Sequence, residues 1–164
     1  MKTLILVRHA KSSWSDRSLP DQERPLNKRG ERAARHLGRR LAKRARRPAL
    51  IVSSPAQRAL RTARLLARRL DYSGRSIVIE TDLYAHPVSD LLRVVQSLSD
   101  QYACVMLIGH NPEFTELARR FCPRITRMPT CAAATLTFDV RSWADVSRQS
   151  VARMKFEYPK RKRK

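Results

Sequence analysis

The chain has 164 residues, with 35 Lys and Arg against 14 Asp and Glu, for a formal net charge of +21. That length fits one domain with a sizeable core, and 42% apolar content excludes disorder along the whole chain. No apolar run approaches the ~20 residues that cross a bilayer, and so basic a surface selects anionic partners: nucleic acid, acidic proteins, phosphorylated substrates or anionic lipid.

In chain order, Thr3 to Val7 is a continuous apolar run and predicts a strand buried on both faces. It stops at Arg8, too short for the apolar stretch of a signal peptide, so the expected compartment is the cytoplasm. Residues 11 to 29 read as loop, with Pro20, Pro25 and no apolar period. Ala33, Ala34, Leu37, Leu41 and Ala45 recur at helical spacing and predict an amphipathic helix over 30–46. Residues 28 to 47 hold ten basic side chains and Glu31 as the one acid, a pattern read first as a solvated face.

Leu50-Ile51-Val52 predicts a second buried strand, and Ser53-Ser54-Pro55 a helix start with Ser54 as cap and Pro55 in the first turn. Ala59, Ala63, Leu66, Ala67 and Leu70 mark that helix's apolar face. A third strand is expected over 77–80 and a third helix through Leu91, Leu92, Val95 and Leu98. Val105 to Ile108 is a fourth buried strand, followed by Gly109-His110-Asn111-Pro112, where Asn111 reads as a cap and Pro112 as the first helical residue. Ala134, Leu136 and Phe138 alternate as a strand, as do Met154, Phe156 and Tyr158. Alternating strands and helices predict an α/β sandwich around a mainly parallel sheet. One domain over residues 1–159 is expected, with 160–164 a basic, solvated tail; its KRKRK run also has the composition of a nuclear-import signal.

Three cysteines, Cys104, Cys122 and Cys131, form no CxxC pair and read as core residues or idle thiols. His9, His36, His86 and His110 lack HExxH or HxH spacing, so neither a metal nor a cofactor is expected. Ligands of open α/β sheets bind beyond the carboxyl ends of the strands. At those ends stand Arg8 and His9, Ser53, Ser54 and Arg58, and Gly109, His110 and Asn111. Two arginines, two histidines and a helix N-terminus suit a dianionic phosphoryl group. Neutral imidazole can attack phosphorus, guanidinium groups can hold the equatorial oxygens, and a second imidazole can donate to them.

At these residues the chain resembles the histidine phosphatase superfamily. LVRHAKSSW is similar to its opening signature, RPLNKRG to the segment that begins its first helix, SSPAQRALRTA to its second-arginine motif, and LIGHNP to its second-histidine motif. LIGHNP and the later PTCAAATLTF resemble the small SixA-type phosphohistidine phosphatases. The resemblance implies a phosphoglycerate mutase-like three-layer α/β/α sandwich without a lid domain. It implies His9 as the phosphorylated nucleophile, Arg8, Arg58 and His110 as the phosphate pocket, and substrate contacts in the positions of Ser12 and Lys11.

Many larger members of that superfamily carry a proton-donating glutamate where this chain reads Leu83-Tyr84-Ala85. An alkoxide leaving group needs such an acid far more than an imidazole does, so the change favours P–N hydrolysis, with Asp82 and His86 as candidate substitutes. Three functions follow. The first is removal of phosphate from phosphohistidine in proteins, including histidine phosphotransfer domains. The second is hydrolysis of a small phosphomonoester such as a sugar phosphate or nucleotide. The third is a basic nucleic-acid-binding module on an inactive scaffold, which the complete Arg8, His9, Arg58 and His110 set and the lack of a nucleic-acid-binding motif argue against.

Overall fold

The computed structural model describes residues 1–44 and 46–160. Six strands form one sheet: β1 (Lys2–Arg8), β2 (Leu50–Ser53), β3 (Val78–Ile79), β4 (Cys104–Gly109), β5 (Ala133–Phe138) and β6 (Val151–Glu157). Their spatial order is β3-β2-β4-β1-β5-β6. β1 to β4 are mutually parallel, β5 is antiparallel to β1, and β6 closes the far edge as an antiparallel hairpin partner of β5. Among the described residues four α-helices complete the fold: α1 (Lys28–Ala42), α2 (Gln57–Arg69), α3 (Val88–Gln96) and α4 (Glu113–Phe121). None is long and apolar enough to cross a membrane.

The sandwich follows from the period-two geometry of a strand, which sends alternate side chains to opposite faces. Leu4 and Leu6 of β1 join Leu91, Val95, Phe114, Leu117 and Phe121 in a core under α3 and α4. Ile5 and Val7 join Leu37, Leu41, Ala63 and Leu66 in a second core under α1 and α2. Both faces of β1 are therefore covered, as its unbroken apolar run predicts. Cys104, Cys122 and Cys131 are buried and unpaired, as expected of core residues. Burial pushes the Cys104 thiol up to about 11 and that of Cys131 to about 12.

Several boundaries differ from the sequence reading, each for a local reason. α1 begins at Lys28 rather than Gly30, because the Asn27 side chain caps it by accepting from the Gly30 amide at 2.8 Å. It ends at Ala42, short of 46, in a tightened turn where Lys43 and Arg44 donate to the Arg40 and Leu41 carbonyls; Ala45 lies outside the described residues. α2 starts at Gln57 with Ala56, not Ser54, in the capping position. α4 starts at Glu113 with Pro112 before it, while Asn111 Oδ1 accepts from the Thr115 amide and hydroxyl. β3 shrinks to two residues because only Val52 and Ser53 of β2 pair with it. β6 covers 151–157, leaving Tyr158 outside. Of the expected basic tail, residues 161–164 lie outside the described residues.

Residues 11–27 are loop, as read, apart from a 3-10 turn at Asp21–Glu23, whereas Lys28 and Arg29 already belong to α1; the loop is pinned. Ser12 bridges Leu26, Ser13 N donates to Pro25 O at 2.8 Å, and Asn27 N donates to Lys11 O at 3.0 Å. Gly30 in the first turn of α1 is where this loop meets the helix, and a Cβ there would overlap the Lys11 carbonyl. In an open helix Gly→Ala stabilises, by up to ~1 kcal/mol. Here Gly30→Ala forces backbone apart and is expected to destabilise by about 1–3 kcal/mol, read from chemical unfolding; a gain in stability would show that the approach is not tight.

Candidate active site

The sheet's hydrogen bonding continues past the strand ends and fixes the first site residues. His9 N donates to Gly109 O at 3.0 Å, Ser54 N to Ile108 O at 3.0 Å, and Cys131 N to the Arg8 and His9 carbonyls at 3.1 Å. Cys131 holds this contact with a φ of 61°. α2 is tied to the same loop, since Thr62 Oγ1 donates to Arg58 O at 2.7 Å and accepts from Ala10 N at 3.0 Å. Around this frame lies a pocket of about 320 Å³ lined by Arg8, His9, Lys11, Ser12, Arg58 and His110, with Trp14, Arg24, Asn111 and Thr130. The structure thus gathers all six residues expected at the site.

His9 is buried, and its Nδ1–H donates to the Ala10 carbonyl at 2.7 Å. A carbonyl can only accept, so the neutral ring must carry its proton on Nδ1 and keep the lone pair on Nε2. Burial lowers the His9 pKa to about 4, and Arg58, Arg8 and Arg24 push in the same direction. The His110 ring centroid is 5.1 Å away. Burial, then His9 and Arg58, lower the His110 pKa to about 3. His110 Nε2 lies 2.7 Å from Ser54 Oγ, and the same oxygen accepts from Ala56 N at 3.1 Å. The hydroxyl read as a helix cap is instead a brace for the second imidazole.

Buried polar atoms are normally paired, so the unpaired ones are informative. Of the residues lining the pocket, Arg8, Arg58 and His110 each have a buried nitrogen without a hydrogen-bond partner: Arg8 Nε, Arg58 Nε and His110 Nδ1. Other atoms of the two guanidinium groups are held: Arg8 Nη1 donates to Met128 O at 3.1 Å, and Arg58 donates to Asp21 O at 2.6 Å and Asp21 Oδ2 at 2.9 Å. An arrangement of fixed donors and an unprotonated imidazole nitrogen can take up a phosphoryl group and present it for attack.

Four residues of this site escape sequence reasoning. Asp21 accepts from Arg58, from Arg24 at 3.2 Å and from Tyr84 Oη at 2.6 Å. Burial alone would raise its pKa, but the bonds from Tyr84 and Arg58 outweigh that and hold the carboxyl well below the usual range. Tyr84 also sets its ring edge-on to His110, 5.2 Å between centroids. Arg24 donates to Ser12 Oγ at 3.0 Å and lies 3.6 Å over the Trp14 ring. Arg24 and Trp14 stand inside the quoted RPLNKRG and LVRHAKSSW motifs, and Tyr84 beside Ala85, but none of the motifs assigned them a role. The candidate acids Asp82 and His86 do not line the pocket. His86 is bonded to Asp90 at 3.0 Å, and that bond raises its pKa.

The fold and this constellation have known counterparts. A sequence model of the histidine phosphatase superfamily (branch 1) matches residues 4–84. An uncharacterised chloroplastic protein of Arabidopsis thaliana is 31% identical over 152 residues, 88% of this chain and 70% of its own length. The structure of a SixA protein from Agrobacterium tumefaciens superposes with a TM-score of 0.82 at 25% identity, covering 96% of this chain and 98% of that one. The protein histidine phosphatase SixA complexed with tungstate gives a TM-score of 0.76 at 21% identity, covering 95% and 94%. The chain belongs to the histidine phosphatase superfamily, within its small SixA-type branch.

Proposed function

We propose that this phosphatase works through a covalent phosphoryl group on His9 Nε2 and that its preferred donor is phosphohistidine in a protein. The observation that carries the first half is the Nδ1–H bond from His9 to Ala10, which leaves Nε2 unprotonated beside the pocket's cationic donors. Nε2 attacks phosphorus as the bond to the leaving group breaks. Arg8 and Arg58 bind the equatorial oxygens through the Nε–H groups that no protein atom accepts, and His110 joins them through Nδ1–H, its proton being placed there when the Ser54 hydroxyl donates to Nε2. Water then attacks the phosphorus on His9, releasing inorganic phosphate and restoring the imidazole. Ser12 and Lys11 stand at the entrance, with Lys11 exposed and able to meet substrate.

The donor is argued from the proton inventory. Among the described residues no carboxyl group lines the pocket. Asp21, bonded to Arg58 of the pocket wall, is kept ionised by Tyr84 and Arg58, and a carboxylate of low pKa has no proton to give. Tyr84 donates its own proton to Asp21, and that bond raises its pKa. A leaving imidazole or amine can take its proton from water before P–N cleavage, whereas an alkoxide needs the acid this site lacks. The second-order rate constant kcat/KM is therefore expected to fall in the order phosphoramidate or phosphohistidine, aryl phosphate, alkyl phosphate. His9→Ala should lose several orders of magnitude on all three. Faster turnover of a sugar phosphate than of any phosphoramidate would transfer the assignment to small phosphomonoesters.

The protonation state is separately testable. His9 has a folded-state pKa below its unfolded value near 6.5, so between about 4 and 6.5 the unfolded chain binds more protons. Stability from this group is complete above that window and is lost as pH falls through it. A histidine NMR titration is expected to place the His9 midpoint near 4, with His86 above 6.5. A His9 midpoint at 6.5 or higher would mean a nucleophile largely protonated below neutrality.

A further inference from the structure

The net charge of this protein is not spread evenly over its two helical layers. α1 and α2 together carry eleven Lys and Arg side chains, six on α1 and five on α2, against Glu31 alone. α3 and α4, across the sheet, carry three basic residues and three acidic ones. One layer is close to neutral and the other holds a field of one sign. Glu31 is already shared between Arg61, at 2.7 Å, and Arg35, at 3.1 Å. Arg29, Arg32, Arg39, Arg64, Arg68 and Arg69 are exposed and have no carboxylate within 4.0 Å among the described residues.

The direction of this field matters more than its size. The first turns of α1 and α2 lie together, since Glu31 meets Arg61, and their later turns do so again where Gly38 abuts Leu66 and Arg69. The helices therefore run side by side in the same sense. Both begin at the pocket: Arg58 in the first turn of α2 lines it, and Gly30 in the first turn of α1 touches the Lys11 backbone. At 1.5 Å per residue the basic stripe extends about 20 Å from the pocket entrance. Neither helix carries a Phe, Tyr or Trp that could stack a nucleic-acid base. The stripe also ends in a pocket built for a single phosphoryl group rather than continuing as a groove.

We propose that the outer face of α1 and α2 is a docking surface for an acidic segment of the phosphoprotein donor, which lies along the stripe while its phosphohistidine enters the pocket. This rests on the phosphohistidine reading above and adds the surface that selects the protein. Like charges repel one another on this face in the free protein, and an acidic strand relieves that repulsion as it binds. The same field draws the donor in before contact.

The test uses two phosphohistidine peptides that are identical around the modified residue. One carries an acidic tail of about eight residues, long enough in extended form to follow the stripe, and the other a neutral tail. Wild-type kcat/KM is expected to be about ten-fold higher for the acidic-tailed peptide at low salt and to approach parity at high salt. The triple variant Arg32→Glu, Arg64→Glu and Arg68→Glu should lose that preference while turning over the neutral-tailed peptide as the wild type does, which also shows that it is folded. A wild type indifferent to the tail, or a variant that keeps the preference, overturns the docking surface. So does a short DNA duplex that blocks the acidic-tailed peptide more effectively than the free acidic tail, since the face would then be a nucleic-acid site. Turnover of an aryl phosphate with neither peptide hydrolysed would remove the phosphohistidine premise, an outcome distinct from equal turnover of both.

Discussion

A single hydrogen bond decides what this site can do. Imidazole attacks from a nitrogen without a proton, and a free histidine distributes its proton between two positions. The bond from His9 Nδ1 to the Ala10 carbonyl, 2.7 Å long, removes that choice. The chain can make it because β1 delivers His9 to the sheet's end in a fixed orientation, with its amide bonded to Gly109 O and its carbonyl to Cys131 N. The buried apolar faces of β1 hold this geometry from both sides.

The surrounding cations create the opposite problem. Arg8, Arg24, Arg58 and Lys11 line one small pocket, and each would repel the others without a counter-charge. Asp21 supplies one by taking hydrogen bonds from Arg58, Arg24 and Tyr84 together. It fixes two guanidinium planes, which limits the reorganisation left for substrate binding. The same contacts keep Asp21 ionised, so the residue that assembles the proposed phosphate pocket is thereby prevented from serving as an acid. Site construction and the proposed substrate preference follow from one carboxylate.

Much of this was legible in the sequence because it depends on short-range patterns. Apolar runs located β1, β2 and β4, and the residues just after them are the ones the pocket collects: Arg8 and His9, Arg58, and His110. What stayed hidden depends on where a loop goes. Asp21 sits in a segment with no periodicity and meets Arg58 only after the loop folds back over α2. Ser54 was misassigned because a serine before a proline has the local signature of a helix cap, whereas its hydroxyl is drawn to His110 on a different strand end. The arginine pattern of α1 was visible, but its alignment with α2 required the packing of Gly38 against Arg69.

The central claim is that His9 carries the phosphoryl group covalently. The direct measurement is a rapidly quenched single turnover with labelled phosphoramidate, followed by location of the label in the protein under alkaline handling. The account predicts acid-labile phosphate on the peptide containing His9, appearing before inorganic phosphate and decaying as it is released. Release of inorganic phosphate with no labelled protein at any time, or label on a residue other than His9, would contradict it.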